Sequence, residues 1–333
     1  MYLEYFGLHE APFSLTPDTS YFFADGHYRD ALDTLLIALK SGEGFIKVTG
    51  EVGTGKTLLC RKLLNILDEG FYTTYIPNPL LTAPALNLAM ADELELNLPR
   101  NLGQHRTTKA ITRRLIELAH QGKQVILCVD EAQAMPDETL EALRLLTNLE
   151  TEKHKLLQVV LFGQPELDQR LGRASVRQLR QRITFSYQLQ PLGRKAMAAY
   201  LAHRLAVAGN RGVLLFKPNA LDALHKASGG IPRLVNVLAH KSLMAAYGKG
   251  SSAINSRHVR MAVADTESTA APGIRWRWWV PLVGVLMLGS LLLLRPHLPA
   301  VVTAMFAGGL TEGDTISVQS GERPGRDGKG GPT

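Results

Sequence analysis

The stretch Gly50-Glu51-Val52-Gly53-Thr54-Gly55-Lys56-Thr57-Leu58 holds residue types that together can seize a phosphate. Gly50, Gly53 and Gly55 let the backbone turn sharply and approach a ligand closely. The loop amides then face inward at the start of a helix, where unpaired N–H groups and the dipole favour an anion. Lys56 can reach the β- and γ-phosphates of a nucleotide, and the Thr57 hydroxyl can ligate Mg²⁺. The spacing Gly-x4-Gly-Lys-Thr predicts that residues 50–58 bind ATP with Mg²⁺. A glycine-rich turn before a helix is the competing reading, and context argues against it: Phe45 to Thr49 reads as a buried strand and Leu58 to Leu67 as a helix.

A second pair of residues completes that chemistry. Gln124 to Gln133 is a run of five apolar residues ended by Asp130-Glu131. Such a run suits a strand covered on both faces. Two adjacent carboxylates at its end would be costly to bury without a cation, and Mg²⁺ supplies one. Ligands of open α/β sheets bind beyond the carboxyl ends of the strands, so Asp130 should meet the glycine loop and hold the metal. Glu131 is then the candidate base for the attacking water.

The elements that must position these residues follow from the same periodicities. Further strands are expected at Phe71 to Pro77, Leu156 to Leu167 and Ile183 to Leu192. Helical patterns cover Thr82 to Leu96, Thr107 to Gln121 and Pro136 to Leu149. Alternating strands and helices predict an α/β three-layer sandwich over residues 1–192. Helices then take over at Arg194–Ala208, Pro218–Ala227, Gly229–Gly248 and Ser256–Asp265, a C-terminal helical lid over 193–265.

Composition sets the bounds. The chain has 333 residues, 45% apolar and 20% charged, with a net charge of +7. That balance permits a nucleic acid or an anionic lipid but does not require either. Two cysteines, Cys60 and Cys128, have no metal-like spacing and suit a reducing compartment. The N-terminus lacks the charged and apolar regions of a signal peptide.

Taken together, "YFGLHEAPFSLTPDTSYFF", "GEGFIKVTGEVGTGKT", "DEAQ", "LFGQPEL", "LRQRI" and "GGIPRLVN", in this order, resemble the general secretion ExeA-type AAA+ ATPases over residues 1 to about 265. Within that group the resemblance is strongest to biogenesis ATPases of the mannose-sensitive hemagglutinin (MSHA) type IV pilus. It implies a P-loop AAA+ fold, ATP hydrolysis and a homo-oligomer that can close as a ring. It also implies that Gln164 is the sensor 1 residue and Arg233 the sensor 2 residue; a polar strand cap and a solvated arginine are the alternatives. Among the five arginines of Arg170 to Ile183, Arg182 is the first candidate for an arginine finger and Arg180 the second. A nucleic-acid patch or a solvated basic face are the other readings of that segment.

A linker is expected over 266–277 and a transmembrane helix over 278–294, which is 17 residues without a charge. Trp276, Trp278 and Trp279 suit interfacial anchoring, and the arginines before the run put the ATPase in the cytoplasm, at a bacterial inner membrane. Residues 295–333 would form a disordered periplasmic tail, too short and polar for a peptidoglycan-binding domain. The expected function is thus a membrane-anchored ATPase serving type IV pilus or type II secretion-like assembly, with inner-membrane assembly proteins as partners and no nucleic acid. The alternative is an ATP-dependent DNA-binding regulator of the transposition or replication type, against which the apolar run and the missing winged-helix pattern argue. A slow switch scaffold is the third reading.

Overall fold

The computed structural model describes residues 2–24, 26–99, 102–149 and 155–266, all within one compact unit, Met1–Ala270. The expected transmembrane helix and tail lie outside the described residues. Among the described residues no helix is long and apolar enough to cross a membrane.

Five strands, β1 Phe45–Gly50, β2 Phe71–Ile76, β3 Gln124–Val129, β4 Leu157–Gly163 and β5 Ile183–Leu189, form one sheet in the order β2-β3-β4-β1-β5. Every pairing is parallel. Parallel strands need crossovers, and helices supply them. In chain order the helices are α1 Tyr2–Tyr5, α2 His27–Lys40, α3 Lys56–Ile66, α4 Ala83–Glu93, α5 Gln104–His120, α6 Asp137–Leu146, α7 Glu166–Leu171, α8 Arg177–Arg180, α9 Arg194–Val207, α10 Pro218–Ser228, α11 Pro232–Gly248 and α12 Ser256–Ala264.

The period-2 geometry of the strands sorts their side chains into two cores. Ile46, Val48, Ile126, Cys128, Val160 and Phe162 pack on one face with α2 and α3, in a core that continues into α9–α12. Phe45, Val125, Leu127, Val129, Val159 and Leu161 pack on the other with α4, α5 and α6. This is the three-layer sandwich that the continuous apolar runs imply.

Helix ends differ from the sequence reading by a few residues. The helix expected to reach Leu96 stops at Glu93, because Glu95 takes a left-handed φ of 59°. The helix expected from Thr107 begins at Gln104, after Gly103 at φ 83°. The helix over Pro136–Leu149 ends at Leu146.

The first twenty residues leave the sheet and run along the C-terminal helices. His9 N donates to Ala208 O at 2.8 Å. Tyr5 packs edge-on against Tyr247, and Tyr2 against His240. α2, which no sequence pattern above anticipates, then carries Tyr28 beneath the glycine loop. Its hydroxyl donates to Thr54 O at 2.6 Å.

Candidate functional site

β1 delivers Gly50 to the carboxyl edge of the sheet, and the next five residues turn into α3. Gly53 at φ 83° and Gly55 at φ 91° adopt the left-handed angles that the turn requires. A Cβ on Gly53 would also lie 2.7 Å from Cβ of Arg233. The loop and the C-terminal helices therefore touch backbone to backbone: Arg233 N, in the first turn of α11, donates to Gly53 O at 3.1 Å. The Thr54 hydroxyl closes the loop on Glu51 O at 2.8 Å.

Lys56 opens α3 and is buried. Its ammonium donates to Gly50 O at 2.8 Å and to Glu51 O at 3.0 Å, so it lies inside the loop. Burial pulls its pKa down, while the charges of Glu131, Asp130, Glu51 and Glu166 oppose that shift. Those carboxylates are the protein's own stand-ins for the negative charge that an ammonium in this place stabilises.

β3 brings Asp130 to the same edge, where it is buried. Thr57 Oγ1 donates to Asp130 Oδ2 at 2.6 Å. A hydroxyl beside one carboxylate is a donor set that fits Mg²⁺ carried in with nucleotide phosphates, since that ion takes few protein ligands. The Tyr75 hydroxyl lies 3.5 Å from the same oxygen, and burial and Asp130 push its pKa up to about 12.

Glu131 adopts φ 50°, one of two left-handed non-glycine residues among those described. The strain of such a residue is of order 1–3 kcal/mol and collects at functional sites. Its Oε2 accepts from Gln133 Nε2 at 2.5 Å and from Gln164 Nε2 at 3.1 Å. Gln133 Oε1 in turn accepts from Gln164 N at 2.9 Å. Gln164, just after β4, thus bonds Glu131, a contact that the sequence reading did not specify. Gln133 was not anticipated, although it follows the acidic pair within one turn.

These side chains line a cavity of about 310 Å³. Lys56, Thr57, Glu131, Gln164 and Arg233 all border it, so the structure brings together the loop, the strand-end Glu131 and α11. Its far wall comes from Leu15 to Asp18 and from Tyr200, Arg204 and Asn236. Arg204 is buried on α9. Its guanidinium donates to Pro12 O, to Ser14 O at 3.3 Å and to Tyr200 Oη at 3.1 Å, and lies 4.5 Å from the Tyr21 ring. The sequence reading missed this wall; its one local sign is an arginine beside the apolar residues Met197, Tyr200, Leu201 and Leu205 of α9.

Arg182 and Arg180 lie elsewhere. Both are exposed, Arg180 ending α8 and Arg182 preceding β5 at the amino edge of the sheet. Two other arginines of the segment have partners: Arg173 bonds Asp137 at 3.3 Å, and Arg170 donates to Met135 O and pairs with Asp137 at 3.7 Å. Neither Arg182 nor Arg180 lines the cavity around Lys56.

Comparison with known proteins agrees with this geometry. Residues 39–171 match a family model described as an AAA domain. The chain is 42% identical over 292 residues to general secretion pathway protein A of Aeromonas hydrophila; the match covers 87% of this chain and 53% of that protein. The chain therefore spans about half the length of that relative. Among solved structures it is similar to the ORC2 protein of Aeropyrum pernix, in ADPNP and ADP complexes. The TM-score is 0.58 at 17% identity, over 77% of this chain and 71% of that one. Cdc6p of Pyrobaculum aerophilum gives a TM-score of 0.58 at 20% identity, over 75% and 69%. At such identities the likeness concerns the fold alone.

Proposed function

As a member of the ExeA-type AAA+ ATPases, this chain is one that we propose binds ATP with Mg²⁺ and hydrolyses it to drive a secretion-type assembly. The observation that carries the reading is the 2.6 Å contact of Thr57 with Asp130, in a cavity shared with Lys56 and Glu131. The loop amides and Lys56 hold the phosphates. Thr57 and Asp130 would hold Mg²⁺, which would supply neutralisation of the phosphate charge. Glu131 orients the attacking water and accepts its proton. Gln164 steers that carboxylate toward the γ-phosphate, and Arg233 stabilises charge from α11, acting from a helical lid over 193–265. A cation in the first turn of a helix opposes the dipole, and a γ-phosphate beside it removes that penalty. Arg182, or Arg180 in its place, serves a neighbouring copy of a homo-oligomer.

The cellular setting is inferred from the relative's name and from the apolar run at 278–294. Anchored by one helix in the inner membrane, with the ATPase in the cytoplasm and the tail outside, the protein serves assembly of a type II secretion-like machine or a type IV pilus of the MSHA kind. The test is ATP turnover by the detergent-solubilised full chain. Lys56→Ala should lose nucleotide affinity, and Glu131→Gln should keep affinity and lose turnover; wild-type turnover in Glu131→Gln removes the assignment of Glu131.

A further inference from the structure

At the amino edge of the sheet, on the side away from the glycine loop, lies a cleft of about 370 Å³ bordered by Lys155, Arg182, Thr147, Asn148, Thr184 and Gly44. Gly44 precedes β1 and Gly50 ends it, so about 17 Å of strand separate this cleft from the nucleotide cavity. No single nucleotide phosphate of this chain can serve both.

The lining is rich in donors and poor in charge-neutralising partners. Neither Lys155 nor Arg182 forms an ion pair with a described residue, in contrast to Arg170 and Arg173. No carboxylate belongs to the described lining. The Thr147 hydroxyl is spent on Arg144 O at 2.8 Å, and the Thr184 hydroxyl on Phe45 O at 3.3 Å. The remaining donors are the Lys155 ammonium, the Arg182 guanidinium and the Asn148 amide.

The Lys155 ammonium lies against the backbone of Gly44. That backbone needs no glycine, since its φ is not left-handed. A Cβ there would lie 2.8 Å from Nζ of Lys155 and 3.0 Å from its Cδ, so a side chain would make the lysine's flexible end shift. Two cations lining a polar cleft from different connecting segments match a doubly charged group with several acceptor oxygens better than a single carboxylate. An arginine fork beside a lysine point charge is the pairing that phosphate recognition uses.

We propose that this cleft is a second oxyanion site, in which Lys155, Arg182 and Asn148 bind a phosphate group. The group can come from a free phosphorylated compound or from the nucleotide of a second copy. The second source rests on the trans reading of Arg182 given above; the site itself does not.

The test uses the full chain in detergent, in a Lys56→Ala background that silences the glycine loop, with inorganic pyrophosphate as probe. Calorimetric titration of dilute protein should give saturable binding of one probe per chain. Lys155→Met and Arg182→Met should each weaken it at least tenfold, and Gly44→Val should weaken it with both cations present. A second arm mixes these proteins with Glu131→Gln copies loaded with ATP and follows association by sedimentation. Association that needs Lys155 as well as Arg182, without pyrophosphate binding by dilute protein, assigns the phosphate to the neighbouring copy. Pyrophosphate binding by dilute protein assigns it to a free ligand. Two results overturn the proposal: no response in either arm, or binding unchanged by all three substitutions. Lys155 and Arg182 are exposed, so thermal melts unchanged by their substitution will separate loss of the site from loss of the fold.

Discussion

The Thr57 hydroxyl donates to Asp130 Oδ2 across 2.6 Å, joining residues 73 positions apart. One belongs to the helix after the glycine loop and the other to the end of the neighbouring-but-one strand, and the parallel order β3-β4-β1 is what aligns them. A hydroxyl–carboxylate pair at this point divides the labour of the site. Asp130 faces the Thr57 hydroxyl, and Glu131, at its left-handed φ, faces the amides of Gln133 and Gln164.

That division makes the two acids separable in experiment. Glu131→Gln should bind ATP with near-normal affinity and turn over about 10²–10⁴ times more slowly, the usual worth of a general base. Gln164→Ala should lower turnover with little effect on affinity. Fluorescent-nucleotide titration beside single-turnover hydrolysis distinguishes the two quantities; an affinity loss in Glu131→Gln as large as in Lys56→Ala contradicts the scheme.

Arg204 should matter to nucleotide binding without touching the phosphate loop. Arg204→Met leaves Pro12 O, Ser14 O and Tyr200 Oη without their donor, at a cost of about 1–3 kcal/mol for each group left unsatisfied. The Leu15–Asp18 wall loosens with it. A lower melting temperature together with several-fold weaker ATP binding is expected. Weaker stability with unchanged affinity would mean that the wall does not contact the nucleotide.

Turnover per chain should rise with protein concentration if Arg182 acts in trans. An arginine supplied to a neighbouring site is worth about 10³–10⁵ in rate in well-studied systems. Mixing Arg182→Ala with Lys56→Ala should restore part of the activity, since each protein repairs one kind of interface. A strictly concentration-independent specific activity, with no recovery on mixing, would remove the role, and the same mixture with Arg180→Ala tests the second candidate.

Stability should fall on mild acidification. His203, His240 and His258 all have pKa values lowered below the ordinary 6.5, chiefly by burial. The unfolded chain therefore binds more protons below pH 6.5, so stability is full above that value and is lost as the pH falls through it. His258 accepts from Asn255 N through Nδ1 at 3.3 Å, a bond that only the neutral ring allows. Denaturant unfolding at pH 7.5, 6.0 and 5.0 should show the decline, with a slope of up to about three protons. His258→Gln, which keeps the cap, should flatten it.

The full chain should remain with membranes in 1 M salt. Charge attraction there decays over about 3 Å, while burial of an apolar run is unscreened. Deletion of residues 275–294 should release an active ATPase. Release of the full chain by salt would replace the spanning helix with a peripheral surface.

How much of this was legible depended on how local the physics was. Phosphate binding needs small residues, a lysine and a hydroxyl at fixed spacing, so residues 50–58 announce themselves. Asp130-Glu131 is equally plain, because two acids closing an apolar strand demand a cation. Gln164 and Arg233 needed the family resemblance, since one amide and one arginine carry no local pattern. The wall at Leu15–Asp18 was hidden for another reason. Its anchors, Arg204 to Pro12 and to Ser14, join residues 192 and 190 positions apart, and no window of sequence contains both.

That wall also constrains the order in which the protein can become functional during synthesis. The glycine loop and Asp130 can come together once β1, β3 and β4 have emerged, about half of the way along the chain. Leu15–Asp18, made first, must wait for α9, whose Arg204 bonds Pro12 and Ser14 just before them. Non-local closure of this kind is the slow step of folding. A ribosome-bound chain stalled before residue 204 therefore carries a glycine loop open to solvent on the side of the missing wall, and closure of the cavity marks the completion of the helical region.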